Sequence, residues 1–237
     1  MYTEKLLKID AHVHSKGISR CSHVSVEQLI DNKIKQGYDG MVLTNHCQAW
    51  YYPPEENAAF IESFIAEFRA AKAYGDRLGF AVWLGIEATV QQPFYADWLL
   101  YGITEEFLRS APCLHQLTQE GLYALCQKSG VLMVQAHPFR MERVGERSHM
   151  DGVEMNCTPR DLDTYPQIIE LAAQQKMLVT CGTDYHDENR TFRGGMLVPS
   201  GIKDGVEFAA YLKTAECTHI FLEDLRLQIP TFNKKQK

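Results

Sequence analysis

Apolar runs of strand length alternate with amphipathic helical stretches along most of this chain. Leu6 to Ile9, Gly40 to Thr44 (GMVLT) and Gly79 to Ile86 (GFAVWLGI) have the length and apolar character of buried strands. Further predicted strands cover 98–101, 131–135, 152–154, 178–181 and 218–222. Strands that alternate with helices predict parallel pairing through right-handed crossovers. About seven such units in 237 residues favour a (β/α) barrel, complete or distorted, over an open sheet.

Local signals mark where the helices begin and end. Ser25, with Gln28 three positions later, has the pattern of a capping box. Gly37 then has the place of a helix-ending glycine. The inward face of this helix is predicted to consist of Val26, Leu29, Ile30 and Ile34. Further helices are predicted at 55–74, 117–126, 166–174 and 204–212.

Composition limits the class of protein. The length suits a single domain, residues 1–237, with a frayed Lys-rich tail over 230–237. No run approaches the roughly 18 apolar residues of a membrane span, and seven scattered cysteines fit reduced thiols. We therefore expect a cytoplasmic protein with no membrane partner. A net charge of −6 argues against stable binding of long nucleic acid, and the oligomeric state stays open.

Metal-ligating residue types stand at nearly every predicted strand end. They are His12, His14, His46, Glu87, His137, Glu154, Asp184 and His186. Strand C-termini of a parallel barrel share one face, so these side chains should meet there. Unpaired buried carboxylates would cost several kcal/mol each, whereas divalent cations would satisfy them. Mixed imidazole and carboxylate donors suit zinc, manganese or iron better than calcium or magnesium.

Six short motifs strengthen this interpretation. KIDAHVH, DGMVLTNH, GIEATV, VQAHPFR, DGVEMNC and CGTDYH resemble, in order, the motifs of the PHP (polymerase and histidinol phosphatase) family of metal-dependent phosphoesterases. The resemblance spans roughly residues 6 to 200. It implies a distorted (β/α)7 TIM-like barrel with a two- or three-metal centre at the strand C-termini, holding Zn, Mn or Fe.

The resemblance also implies roles for single residues. A first metal would be held by His12, His14, Glu87 and Asp184. Glu87 would bridge to a second metal, shared with His137 and with Asp97, which stands where the family usually has histidine. His46 and His186 match two ligands of a third metal. His23 is the candidate for its remaining ligand, with an ordinary surface histidine as the alternative.

Catalysis would use a metal-bound water held by Glu87, Asp184 and His186. Arg140, which resembles the arginine of the family's HP-x-R, would bind substrate phosphate. Arg160 and Arg193, together with Arg190, are further candidates, and the alternative for each arginine is a solvated surface charge. Outside the metals' coordination spheres, Asp10 would orient a ligand imidazole and Glu154 would support the site.

The function expected from the resemblance is hydrolysis of a small phosphate ester. Histidinol phosphate, a nucleotide, a sugar phosphate and the end of a short oligonucleotide are not distinguished. A C–N bond hydrolase of the amidohydrolase type is an alternative, since such enzymes also combine a barrel with an N-terminal H-x-H and a late aspartate. They usually carry a bridging lysine, where this chain has Glu87. A non-catalytic metal-binding module is the third possibility.

Overall fold

A mixed sheet that curves into a nearly closed barrel organises the molecule. The computed structural model describes residues 5–140 and 143–231. In that part of the chain the strands are β1 (Leu6–Val13), β2 (Gly40–Leu43), β3 (His46–Cys47), β4 (Ala81–Val90), β5 (Ala96–Tyr101), β6 (Leu132–Gln135), β7 (Gly152–Asn156), β8 (Leu178–Gly182), β9 (Gly194–Pro199), β10 (Cys217–Leu222) and β11 (Leu225–Pro230). The α-helices are α1 (Val26–Lys35), α2 (Asn57–Leu78), α3 (Glu105–Ser110), α4 (Gln119–Ser129), α5 (Tyr165–Gln175) and α6 (Gly205–Thr214).

Seven strands form the barrel wall, in the order β1-β2-β4-β5-β6-β7-β8. The wall closes where the chain after β8 returns to β1, since the backbone nitrogen of His14 donates to the carbonyl of Tyr185 at 3.0 Å. The short β3 pairs with β4. On the other side of β1, the antiparallel strands β9, β10 and β11 extend the sheet. The expected distorted TIM-like barrel is confirmed.

The expectation of uniformly parallel strands is wrong for β5, which runs antiparallel to both β4 and β6. Only residues 91–95 join β4 to β5, and a parallel connection needs a dozen residues or more. Consequently the start of β5, rather than its end, lies at the barrel mouth. Asp97 therefore sits opposite Thr89, near the C-terminal end of β4. Strands β9 and β11 and helix α3 were not anticipated from the sequence.

Helix α1 forms as its capping signals predict, but one residue of its inward face is wrong. Ser25 and Gln28 make both bonds of the capping box, and Gly37 follows with φ +82°. Ile34, however, is exposed, whereas Lys33 is fully buried. The Lys33 ammonium lies 2.5 Å from Asp10 Oδ2 and over the ring of Tyr185, so the buried charge is paired.

Helices pack against the barrel wall, and apolar side chains form the core. Its largest fully buried side chains include Trp83, Trp98, Tyr101 and Phe208. Strand β11 extends to Pro230, and residues 232–237, most of the predicted frayed tail, lie outside the described part of the chain. Within the described residues, no helix combines the length and apolarity needed to cross a bilayer.

Candidate metal centre

The carboxyl-end mouth of the barrel collects the predicted ligands from separate strands. His12 lies in β1 and His14 directly after it, so their side chains share one side of the strand. Glu87 projects from β4, and Asp97 from the antiparallel β5. The remaining candidates also lie at the mouth. His46 is in the short strand β3, His137 follows β6, and Asp184 and His186 follow β8.

Three overlapping groups of side chains bring their donor atoms within 4.8 Å of one another. The groups are His12, His14 and Glu87; Glu87, Asp97 and His137; and His14, His46 and His186. Asp184 joins the first, because its Oδ1 lies 3.3 Å from His14 Nε2 and 3.6 Å from His12 Nε2. Glu87 is shared by two groups, as a bridging carboxylate would be.

Several buried polar atoms at the centre of the mouth have no hydrogen-bond partner in the described part of the chain, which bears on whether these residues fit metal ions. His12 Nε2, His14 Nε2, His46 Nδ1 and Glu87 Oε2 are buried and make no hydrogen bond among the described residues. His46 Nδ1 lies 2.8 Å from Glu87 Oε2, yet the pair lacks hydrogen-bond geometry. Orphaned buried polar atoms are costly. Divalent cations satisfy such nitrogen and oxygen donors, so the residues present fit the group.

The charges of these residues are strongly coupled. Burial alone would raise the pKa of Glu87, but His46 and His12 hold it well below its usual range. Burial likewise opposes ionisation of Asp184, and His12 and His14 reverse that effect and lower its pKa. Both carboxyl groups are therefore ionised at neutral pH. Glu87 and Asp184 therefore supply charged oxygen donors to the site.

The two residues predicted to support the ligands do so differently. Glu154 Oε1 lies 2.8 Å from His12 Nδ1, and its Oε2 accepts from the backbone nitrogen of His137 at 3.1 Å. Asp10 contacts no ligand imidazole. Its Oδ1 instead accepts from the backbone nitrogens of His12 (3.2 Å) and Thr183 (2.9 Å), which joins β1 to the segment after β8. Glu154 thus orients an imidazole, whereas Asp10 orients backbone.

The ligand candidates Asp97 and His23 differ in their distance from the donor groups. Asp97 lies in the second group, with its Oδ1 accepting from the Thr89 hydroxyl at 2.6 Å. His23 is exposed and lines the cavity over the mouth, but it belongs to none of the three groups. Cys21 lies closer to the third group. Burial opposes its ionisation, but hydrogen bonds with His186 and His46 lower its pKa to about 5.

The cavity over the mouth has a volume of about 320 Å³ and is lined mainly by polar residues. Arg140, Arg160 and Arg190 contribute to its wall. Arg193 does not line it: this guanidinium pairs with Glu223 at 2.9 Å instead. Sequence reasoning could not place these arginines, because they follow strand ends on loops with no periodicity to fix their direction.

Comparisons with known proteins support the fold. No protein-family model matches the sequence, and no curated protein matches it. A two-domain protein from Bacteroides vulgatus, described as containing a predicted PHP-like metal-dependent phosphoesterase, superposes with a TM-score of 0.67 at 17% identity, over 94% of this chain and 66% of the other. An amidohydrolase from Chromobacterium violaceum gives 0.59 at 14% identity, over 86% and 96% of the two chains.

A lesion-specific endonuclease, PfuEndoQ from Pyrococcus furiosus, has a TM-score of 0.58 at 12% identity, over 94% of this chain and 57% of that protein. At such identities the likeness concerns the fold alone. This chain therefore shares its barrel fold with structures described as a PHP-like metal-dependent phosphoesterase, an amidohydrolase and a lesion-specific endonuclease.

Proposed function

We propose that this protein is a metal-dependent phosphoesterase that hydrolyses a small phosphate ester with water activated at a two- or three-metal centre. The observation that carries the proposal is the set of three overlapping donor groups at the barrel mouth, two of which share the carboxylate of Glu87. Adjoining donor groups are typical of multinuclear hydrolytic sites, in which neighbouring ions clamp one phosphoryl group. Zinc, manganese and iron suit the donor types.

The roles of single residues follow from their positions. His12, His14, Glu87 and Asp184 would hold a first ion, and Glu87, Asp97 and His137 a second. His46 and His186 would contribute to a third. Divalent ions bound there would lower the pKa of water toward neutrality and neutralise phosphoryl charge. Glu87, Asp184 and His186 would hold that water. No protein nucleophile is required.

Two arginines in the wall of the cavity, Arg160 and Arg190, support an anionic substrate. Arg160 is the more exposed arginine there, with 63% of its side chain accessible. Arg190 uses Nη1 to donate to the carbonyl of Asp184 at 2.6 Å, and its side chain also lines the cavity. Arginine forks suit phosphate oxygens. A phosphate ester held by these groups would place its phosphorus over the donor groups.

The two candidate classes of substrate are a small phosphorylated metabolite and the end of a nucleic acid. The cavity volume suits a small phosphorylated molecule. However, one structural neighbour is a lesion-specific endonuclease, so the expectation that long nucleic acid is excluded no longer has the support of the fold. Short oligonucleotides therefore belong in the substrate panel.

Hydrolysis of a C–N bond is the second candidate, because the neighbour from Chromobacterium violaceum is described as an amidohydrolase. The chemistry of the mouth favours the phosphoesterase. Glu87 has the bridging position that lysine usually has in amidohydrolases, and the buried Lys33 is paired with Asp10 rather than directed into the mouth.

The proposal can be tested by measuring bound metal and phosphate release on the same protein preparation. We expect two to three metal equivalents and phosphate release from at least one of a panel of phosphate esters and oligonucleotides in Mn²⁺ or Zn²⁺. Asp184→Asn should remove both, whereas Glu188→Gln, an exposed acidic residue four positions later, should change neither. Metal binding with turnover of amides only would favour the C–N hydrolase. Absence of bound metal would contradict both candidates.

A further inference from the structure

The guanidinium of Arg140 is occupied by protein acceptors on all three nitrogens. Nη1 donates to Asp184 Oδ2 at 2.8 Å, and Nε and Nη2 donate to Asp161 Oδ2 at 3.2 and 2.6 Å. Nη2 also lies 3.2 Å from both Asn156 Oδ1 and Thr158 Oγ1. Asp161, which the sequence analysis did not identify, belongs to a 3-10 helix at Pro159–Thr164 and is buried.

We propose that Arg140 is a positioning residue rather than a substrate ligand, and that Arg140 and Asp161 together form a clamp that orients Asp184 toward the metal centre. The inference rests on the metal centre of the proposed function. It replaces the role that the family resemblance implies for Arg140, because a guanidinium with these five contacts has little capacity left for a phosphate.

The two carboxylate oxygens of Asp184 show what the clamp does. Oδ2 accepts from Arg140, and Oδ1 is left facing His14 Nε2 and His12 Nε2 at 3.3 and 3.6 Å. Asp184 also has a left-handed backbone, with φ +52°, which is unfavourable for an L-residue. The charge-assisted bond to Arg140 helps to hold the carboxylate in this orientation.

A second branch of the same network reaches another predicted ligand. Asn156 accepts from Arg140 and donates through Nδ2 to Glu154 Oε2 at 3.0 Å. Glu154 Oε1 in turn lies 2.8 Å from His12 Nδ1. One guanidinium therefore acts on the first ligand group directly through Asp184 and indirectly through His12.

The role of Asp161 distinguishes positioning from substrate binding. Asp161 takes up Nε and Nη2, the pair of donors with which an arginine would bind a phosphate in bidentate fashion. In a clamp, Asp161 fixes the end of the guanidinium that lies away from Asp184. Loss of either residue should then have the same consequence for metal binding.

The test measures Mn²⁺ affinity by electron paramagnetic resonance of the free ion in wild-type protein, Arg140→Lys and Asp161→Asn. Asp163→Asn, at an exposed position of the same 3-10 helix, is the matched control. We expect affinity at the tightest position to fall about 10–100-fold in both variants, the usual effect of removing a group that orients a metal ligand, and to stay unchanged in the control. The double variant should be no worse than the singles, because they act as one unit.

The affinity for inorganic phosphate, measured at saturating Mn²⁺, provides the second readout. The clamp predicts no change in either variant once metal is restored. Weaker phosphate binding in Arg140→Lys, with Mn²⁺ affinity intact in Asp161→Asn, would overturn the proposal and return Arg140 to substrate binding. Wild-type protein that binds no Mn²⁺ would instead contradict the proposed function, and the clamp with it.

Discussion

The Nδ1 atom of His12 lies 2.8 Å from Glu154 Oε1, while its Nε2 points into the centre of the barrel mouth without a hydrogen-bond partner among the described residues. The carboxylate fixes which ring nitrogen carries the proton and directs the other nitrogen toward a metal. Such pairing makes the imidazole a better donor. The site therefore contains residues that would bind metal, such as His12, and residues that orient them, such as Glu154. Variants of the two kinds should have different effects.

Removal of a donor should abolish both metal binding and hydrolysis. His14 contributes to two donor groups, so His14→Ala should lower bound metal by at least one equivalent and leave no detectable phosphate release. Metal content by elemental analysis and turnover on the same preparation test this. His219→Ala removes a histidine of strand β10 that belongs to none of the donor groups and serves as the control. Full activity of His14→Ala would refute the assignment.

Glu154→Gln should weaken metal binding without removing a donor of the three groups. The glutamine can still hydrogen-bond His12, but it loses the charge that strengthens this imidazole as a ligand. We expect the metal affinity to fall about tenfold, with the secondary structure unchanged by circular dichroism. An unaltered affinity would mean that the 2.8 Å contact has no effect on the ligand.

Asp97 tests the second metal position separately. Asp97→Ala should lower metal content at that position and leave the first group intact, whereas Asp97→His should keep binding and shift the preference toward zinc. Competition between Mn²⁺ and Zn²⁺ measures the shift. If Asp97→Ala changes neither metal content nor rate, Asp97 is not a ligand.

Metal affinity should fall as the pH falls. Burial opposes a charged His12, but Glu154, Glu87 and Asp184 outweigh it and raise the pKa of this imidazole well above its usual range. A metal must displace that proton, so competition persists through neutral pH and disappears only above the raised pKa. Apparent Mn²⁺ affinity should therefore increase from acidic to mildly alkaline pH. An Mn²⁺ affinity that does not change with pH over that interval would contradict competition between the metal and the proton on His12.

The buried ion pair between Lys33 and Asp10 should contribute to stability rather than to chemistry. Lys33→Met leaves the buried Asp10 carboxylate without its cation, which should cost about 3 kcal/mol of unfolding free energy in urea. Lys35→Met, at an exposed position of the same helix, is the matched control. Equal stability of the two variants would show that the Thr183 contacts alone satisfy Asp10.

The sequence by itself determined the barrel and most of the candidate ligands. Strand and helix periodicities differ, so alternating segments identify a β/α architecture, and His12, His14 and Glu87 could be assigned to one mouth because parallel strand ends share a face. Ser25 and Gln28 likewise marked a helix start through purely local bonds.

Only the tertiary structure decided the features that depend on contacts between distant segments. The direction of β5 brings Asp97 to the mouth from the start of a strand, and the short connection that forces this reversal is evident only once the ends of β4 and β5 are known. Arg140 meets Asp161 21 positions away and Asp184 44 positions away, on loops where side-chain direction has no period. Lys33, on helix α1, can be buried because Asp10 on strand β1 pairs with its charge. Local chemistry specifies elements, whereas pairing of charges across the fold specifies which residues act together.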